Sequence, residues 1–372
     1  MAVTLQAVKN RKQEKDFVNL PFAIYKGNSY WVPPIKTDEL NSLDASYNPA
    51  MRYCDAEFWV AYRDDKPVGR IGAIINHKYN EKVGKKLGRF SKLEFFNDKA
   101  VFVALMDKAI FWMKEKGMKT IHGPLGFTNL DNQGLLIEGF EYLPSIASVY
   151  HHAYYQQHIE AYGFGKEIDW LEFRLNIGEK SVEKANRGAA LVKKRFGFEI
   201  VRFKRAEDLV PYAESFFGIV NDAFASLPFV IPFDKEMANM YTKKYIQAVN
   251  PKYVYFVKKD DELIGFMLAV PSLSVAMQKA NGKLFPFGFY HIKKAIRHPQ
   301  VIDFFLGGVK PEYENKGPVV MLYAEIQNQM LKDGISVAET TGNLETNHRV
   351  IANWKNFDHI QHKRRRCFIK DI

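Results

Sequence analysis

The strongest constraint on this chain is an internal duplication. Phe58–Tyr62 and Val68–Asn76 flank the charged turn Arg63-Asp64-Asp65-Lys66, which predicts a β-hairpin. Tyr253–Val257 and Leu263–Val270 flank Lys258-Lys259-Asp260-Asp261-Glu262 in the same way. The register matches: an Asp-Asp pair, two residues, then Val68-Gly69 in one half and Ile264-Gly265 in the other. Each hairpin is followed by strand, helix, strand. In the first half these are Leu87–Phe96, Asp98–Lys116 and Thr120–His122. The helix carries Val101, Leu105, Ala109, Trp112 and Met113 on one face, Asn97 or Asp98 to cap it, and Gly117 past its end. In the second half they are Val301–Val309, Pro318–Lys332 and Ile335–Glu339, with Pro at the first helical position and Gly334 past the last. A mixed α/β unit used twice accounts for this order.

At about 150 residues per domain, 372 residues agree with two units. We expect an N-terminal domain over 1–180, a basic linker over 181–197 and a C-terminal domain over 198–372. A 47% hydrophobic content supplies a core and excludes disorder as the main state. The net charge of +11 favours anionic partners without choosing among CoA-like phosphates, nucleic acid and anionic membrane. Cys54 and Cys367 form no CxxC pair, and His151-His152 lies in no metal-ligand spacing, so reduced thiols and no metal are expected. The first residues lack a signal-peptide apolar region, and no apolar run approaches the roughly 20 residues of a span. The expectation is a cytoplasmic protein without a membrane partner.

The joint after the third strand of the second half reads Leu306-Gly307-Gly308-Val309-Lys310-Pro311-Glu312-Tyr313-Glu314-Asn315-Lys316-Gly317-Pro318. With the element order, Val309, Pro311, Tyr313, Lys316 and Gly317 resemble the V-x-P-x-Y-R-G-K-G-I-G segment of the GNAT acyltransferase superfamily. The resemblance implies tandem GNAT-like domains and an acyl-CoA co-substrate whose pyrophosphate meets backbone N–H groups at a helix N-terminus. The cofactor-binding residues it implies are Val309, Lys310, Lys316, Gly317 and Val319. Glu314 stands at the family's Arg or Gln and brings like charge, while Pro318 lacks an N–H, so weak binding is expected. The matching place in the first half, Gly88–Asp98, has no glycine run, which makes that domain the degenerate one. Asn347, Trp354 and Phe357 resemble the downstream N-x-x-A-x-x-L-Y-x-x-x-G-F segment. The resemblance puts Asn347 near the CoA arm and Trp354 at the position of a proton-donating Tyr, a role indole cannot fill. Glu339 stands where a family base can sit, with Glu345 nearby.

A further set covers most of the chain: Asn19-Leu20-Pro21-Phe22, Trp31-Val32-Pro33-Pro34, Gly123-Pro124-Leu125-Gly126-Phe127-Thr128, Gly134-Leu135-Leu136 with Gly139-Phe140, and Tyr154-Tyr155. These resemble an uncharacterised bacterial tandem-GNAT family. The Gly123–Gly139 loop offers Asp131 and Glu138 as a base or as amine binders. Tyr154 and Tyr155, beside His151 and His152, are candidates to stack on a substrate or donate protons. Lys363-Arg364-Arg365-Arg366 reads as a solvated edge strand or a phosphate contact. The implied activity is transfer of an acyl group, acetyl in the simplest case, from CoA to a small-molecule or peptide amine. Two alternatives stand beside it. One is a Fem-like aminoacyl transferase using aminoacyl-tRNA, for which the RNA-favouring charge speaks; the other is a non-catalytic binding protein on the same fold.

Overall fold

A computed structural model describes residues 2–246 and 249–372. The chain forms two compact units. In the first it runs β1 (Thr4–Ala7), α1 (Arg11–Ile24), α2 (Lys36–Asn41), β2 (Cys54–Arg63), β3 (Lys66–Asn76), α3 (His77–Val83), β4 (Leu87–Phe95), α4 (Lys99–Glu115), β5 (Thr120–Gly123), β6 (Leu135–Glu138), α5 (Tyr154–Ala161) and into β7 (Gly165–Asn176). The hairpin β2–β3 turns where predicted, with Asp64 and Asp65 at φ 50° and 59°, a conformation Asp tolerates. β1 to β4 pair antiparallel, and β4 pairs β5 in parallel. α4 lays Val101, Leu105, Ala109 and Met113 on the sheet. The approach is close enough to require glycine in the strands: a Cβ on Gly69 would stand 2.7 Å from Leu105, and one on Gly88 2.4 Å from the Met113 sulfur.

The chain continues through α6 (Glu179–Phe196), β8 (Glu199–Arg202), α7 (Ala213–Phe224), α8 (Lys235–Tyr245), β9 (Val254–Lys259), β10 (Glu262–Pro271), α9 (Ser274–Ala280), α10 (Gly288–Arg297), β11 (Ile302–Val309), α11 (Pro318–Lys332), β12 (Val337–Thr340), β13 (Asn343–Leu344), α12 (His348–Trp354) and β14 (Asp358–Asp371). In the second unit β8 to β11 pair antiparallel, β11 pairs β12 in parallel, and β12 pairs the end of β7. Hairpin, strand, helix and parallel strand therefore recur in the expected order.

The division of the chain differs from the expected single cut. One unit comprises Met1–Leu171, Ser274–Phe289 and Lys363–Ile372; the other comprises Glu172–Leu273 and Tyr290–His362. The cause is strand pairing at long range: the C-terminal end of β14 pairs β5, from Phe368 opposite Gly123 to Asp371 opposite Thr120. The expected linker is most of α6, a helix of the second unit. Its Gly188 faces Val320 of α11, and Asn186 exchanges side-chain hydrogen bonds with Asn328.

The basic run near the C-terminus is a second correction. Lys363 and Arg365 are buried, 1% and 3% exposed, and the Lys363 ammonium donates to the Leu143 carbonyl at 2.8 Å. Arg365 donates to the Gln133 carbonyl, and Arg364 and Arg366 converge on the buried Asp169. Partners 195 to 232 residues away neutralise or satisfy the run, so it is neither solvated nor open to phosphate. Among the described residues no helix is long and apolar enough to cross a membrane.

Candidate functional site

In the second unit the loop after β11 tightens into a short 3₁₀ turn over Pro311–Lys316, and α11 begins at Pro318. Gly317 precedes it at φ 78°, a left-handed conformation, and offers no side chain to cap the helix. The positive end of the α11 dipole is thus not covered by a carboxylate of its own cap. Lys316 sits 4.6 Å from the centre of the Tyr313 ring, and the Lys310 ammonium pairs with Glu262. Glu314 is not the unpaired like charge that the sequence suggested. Arg349 of α12 pairs with it and also reaches the Asn315 side-chain oxygen. Beside the first turns of α11 lies a cavity of about 190 Å³, lined among others by Lys184 and Gly188 of α6, Val319 and Tyr323 of α11, and Asn353 and Phe357.

The other residues expected in this unit have defined places. The Asn347 side-chain oxygen caps α12 by accepting from the Val350 N–H at 3.2 Å. Trp354 is core, 3% exposed, packed by Phe173, Phe304, Tyr323 and Phe357. Glu339 lies buried on β12, directly opposite Arg174 of β7, whose guanidinium donates to it at 2.6 Å. His362 approaches the other Glu339 oxygen at 3.5 Å through Nε2. Its Nδ1 lies 3.0 Å from the Glu172 carbonyl, an acceptor, so Nδ1 carries a proton. Glu345 is half-buried just past β13.

The first unit holds a polar centre that sequence reasoning missed. Glu94, near the end of β4, is buried, and one of its oxygens accepts from the Tyr25 and Tyr155 hydroxyls at 2.8 and 2.7 Å. Burial raises its carboxyl above the ordinary range, and Arg70 only partly opposes this. Tyr155 also accepts from the Phe95 N–H at 3.2 Å, and the Tyr154 hydroxyl donates to the Phe95 carbonyl at 2.5 Å. Trp31, Tyr25, His152, Tyr154 and Tyr155 form a run of stacked rings, with successive centroids 4.8 to 5.4 Å apart. His151 accepts from the Leu136 N–H through Nδ1, and burial pushes its pKa down to about 3. The expected tyrosines are therefore here, gathered around a carboxyl with only neutral hydrogen-bond donors. A carboxyl held above its ordinary range by burial is the kind of group that can exchange a proton with a reacting partner. Its sequence signal was slight: one carboxylate in Leu87–Phe95, a strand that also carries Arg89, Ser91 and Lys92.

The β4–α4 joint of this unit is closed. The Asp98 carboxylate caps α4, accepting from the Ala100 and Val101 N–H groups at 2.8 and 3.3 Å, and Arg63 pairs with it at 2.6 Å. In sequence, the reason this joint cannot cradle a phosphate is its missing glycine run; the structure adds a carboxylate that occupies the first N–H groups of the helix. Asp131 is a turn residue, accepting from the Thr128 N–H at 2.9 Å, and Glu138 pairs with Arg364 at 3.1 Å. His122, Glu167 and Cys367 form a small buried-to-half-buried group in which Glu167 meets the imidazole at 3.1 Å and the thiol at 3.2 Å. Burial raises both thiols: Cys54 to about 12, and Cys367 well above its usual value, where Glu167 adds to the effect.

No family model matches the sequence. The chain is 28% identical over 347 residues to Protein YghO of Escherichia coli strain K12, covering 91% of this chain and 87% of that protein. It is 25% identical over 286 residues to the bacterial ceramide synthase of Caulobacter vibrioides, covering 76% and 73%. Among solved structures, a tandem GNAT protein from the clavulanic acid biosynthesis pathway superposes with a TM-score of 0.59 at 12% identity, covering 100% of this chain and 98% of that one. This chain has a tandem GNAT fold. At that identity the likeness is one of fold. In the tandem GNAT fold the two strand–loop–helix joints are equivalent places. Here one is capped by Asp98 and the other carries Lys316 and Gly317.

Proposed function

We propose that this tandem GNAT protein is an acyl-CoA-dependent N-acyltransferase. The donor's phosphates rest at the N-terminal turn of α11, and the acceptor is a long-chain amine. The observation that carries the reading is the uncapped start of α11, flanked by Lys316 and a cavity lined by Lys184 and Val319. The fold supports acyl transfer. The similarity to a ceramide synthase supports the acceptor class, since a ceramide is the amide of a long-chain amine.

The chemistry requires an ammonium to lose a proton to a carboxylate. The freed nitrogen lone pair attacks the thioester carbonyl carbon, the C–S bond breaks, and the thiolate takes up a proton. Glu339 is the carboxylate of the second unit for the first step, oriented by Arg174 and His362. Trp354 supplies no proton, so solvent protonates the thiolate. A second reading puts the chemistry in the first unit, favoured by the raised carboxyl of Glu94 among tyrosine hydroxyls.

The test incubates the full chain with acetyl-CoA or palmitoyl-CoA and sphinganine, following free thiol and the amide product by mass spectrometry. Amide formation with at least a hundredfold loss in Glu339→Gln and little loss in Glu94→Gln is the expected result. The reverse pattern selects the second reading. Absence of thiol release together with aminoacyl transfer from charged tRNA selects the Fem-like alternative. Acyl-CoA binding without any turnover selects a binding protein.

A further inference from the structure

The segment between β10 and β11 has an unusual surface. Val275, Leu284, Phe285, Phe287, Phe289 and Tyr290 are exposed by 53, 45, 81, 73, 51 and 58%. No other stretch among the described residues exposes so many large apolar side chains so close together. Folding normally hides such groups, and a patch of this kind marks a contact surface.

The exposure is built in. The base of the segment is tied to the first unit through backbone groups and its less exposed side chains. The Gln278 amide donates to the Ser29 and Trp31 carbonyls at 2.8 and 3.0 Å, and the Ser274 hydroxyl donates to the Pro144 carbonyl at 2.6 Å. The Lys36 N–H donates to the Gly282 carbonyl at 3.0 Å. A Cβ on Gly282 would stand 2.4 Å from the Phe22 ring, and one on Gly288 1.9 Å from the Lys283 carbonyl oxygen. The loop is thus locked at its base while its phenylalanines project from the tip.

Charge selects the occupant. From Leu263 to Ile302 the chain has no Asp or Glu, but it has Lys279, Lys283, Lys293, Lys294 and Arg297, all exposed. Lys279 and Lys283 flank the exposed apolar residues, and α10 continues the segment with the other three. Apolar rings beside cationic side chains are the composition that enters the headgroup region of an anionic bilayer. A second copy of this chain would bring the same cations against each other. The expectation of no membrane partner rested on the lack of a span, and interfacial contact needs none.

We infer that the 283–289 loop and the start of α10 are an interfacial anchor, inserting Leu284, Phe285, Phe287 and Phe289 into an anionic phospholipid surface. The inference rests on this surface alone and stands whatever the acceptor proves to be.

The experiment is sedimentation of the full chain with vesicles of phosphatidylcholine, with and without 30% phosphatidylglycerol, at low and high salt. Wild type is expected to bind the anionic vesicles, to bind the neutral ones at least tenfold more weakly, and to lose affinity with salt. Phe285→Ser/Phe287→Ser should lose at least tenfold at unchanged melting temperature, because both rings are already in water. Lys293→Glu/Lys294→Glu should lose about fivefold or more per charge on anionic vesicles only. No binding by wild type, or binding unaffected by the phenylalanine pair, overturns the inference. So does a wild-type dimer that the phenylalanine pair dissociates, or binding to RNA in preference to vesicles.

Discussion

The two strand–loop–helix joints occupy the same place in the two units and have opposite electrostatics. At the start of α4 the Asp98 carboxylate takes two backbone N–H groups, and Arg63 takes the carboxylate. At the start of α11 stands Gly317, with no side-chain cap, with Lys316 next to it and Glu314 paired by Arg349. The same strand–loop–helix connection carries a side-chain cap in one unit and none in the other. A side chain that satisfies a helix end also excludes an anion from it, so one joint cannot serve both purposes.

The largest expected effect separates the units as wholes. Burial depresses the pKa of His122, His151, His152 and His158 in the first unit. A histidine whose folded pKa lies below its unfolded value contributes stability that is complete above the unfolded value. That stability is lost as pH falls through the window below it. For His151 the window runs from 6.5 to about 3, with a loss on the order of a few kcal/mol at its acid end. Stability measured by denaturant unfolding should therefore fall steadily below pH 6.5, and His151→Asn should flatten the slope while keeping an acceptor for Leu136. Equal slopes in wild type and variant would remove the buried imidazole from the account.

Next comes a direct attempt to convert the open joint into the closed one. Val319→Asp places a carboxylate in the first turn of α11, beside the cavity. Acetyl-CoA or palmitoyl-CoA affinity, read by calorimetry, should fall about 30-fold, the equivalent of one lost charge-assisted hydrogen bond of roughly 2 kcal/mol. Unchanged affinity would move the donor away from this joint.

The converse change concerns stability. Asp98→Ala strips α4 of its cap and leaves Arg63 unpaired, and should cost about 1–2 kcal/mol in urea unfolding. It should confer no acyl-CoA affinity, because the 95–99 joint has no glycine run. The smallest effect is expected at Glu314. Its pair with Arg349 is largely solvent-exposed, so Glu314→Gln should change stability by less than about 1 kcal/mol. It frees the Arg349 cation beside the joint and should tighten acyl-CoA binding about twofold to fivefold.

Local structure was legible in the sequence wherever the cause was local. The Asp64-Asp65 turn, the Asp98 cap, Gly117 at φ 74° and Pro318 at the start of α11 all sit where propensity put them. What depends on distant partners was not. Lys363–Arg366 reads as solvated because Asp169 and the Leu143 and Gln133 carbonyls are far away in sequence. The two returns of the chain to the first unit, at Ser274–Phe289 and Lys363–Ile372, follow from strand pairing and backbone ties that leave no local pattern. Glu94 escaped because one carboxylate among the polar residues of β4 gains meaning only once Tyr25 and Tyr155, 69 residues before it and 61 after it, are seen to share it.

Both cysteines lie in the first unit, fully or largely buried, with their thiols held in the protonated form. The thiolate is the species that reacts with alkylating reagents, so native molecules present almost none of it. A chemical label then counts openings rather than exposed surface. The rate at which Cys54 and Cys367 are consumed is a built-in clock for the breathing of that unit, readable by mass without introducing any probe, and it remains silent for events confined to the other unit.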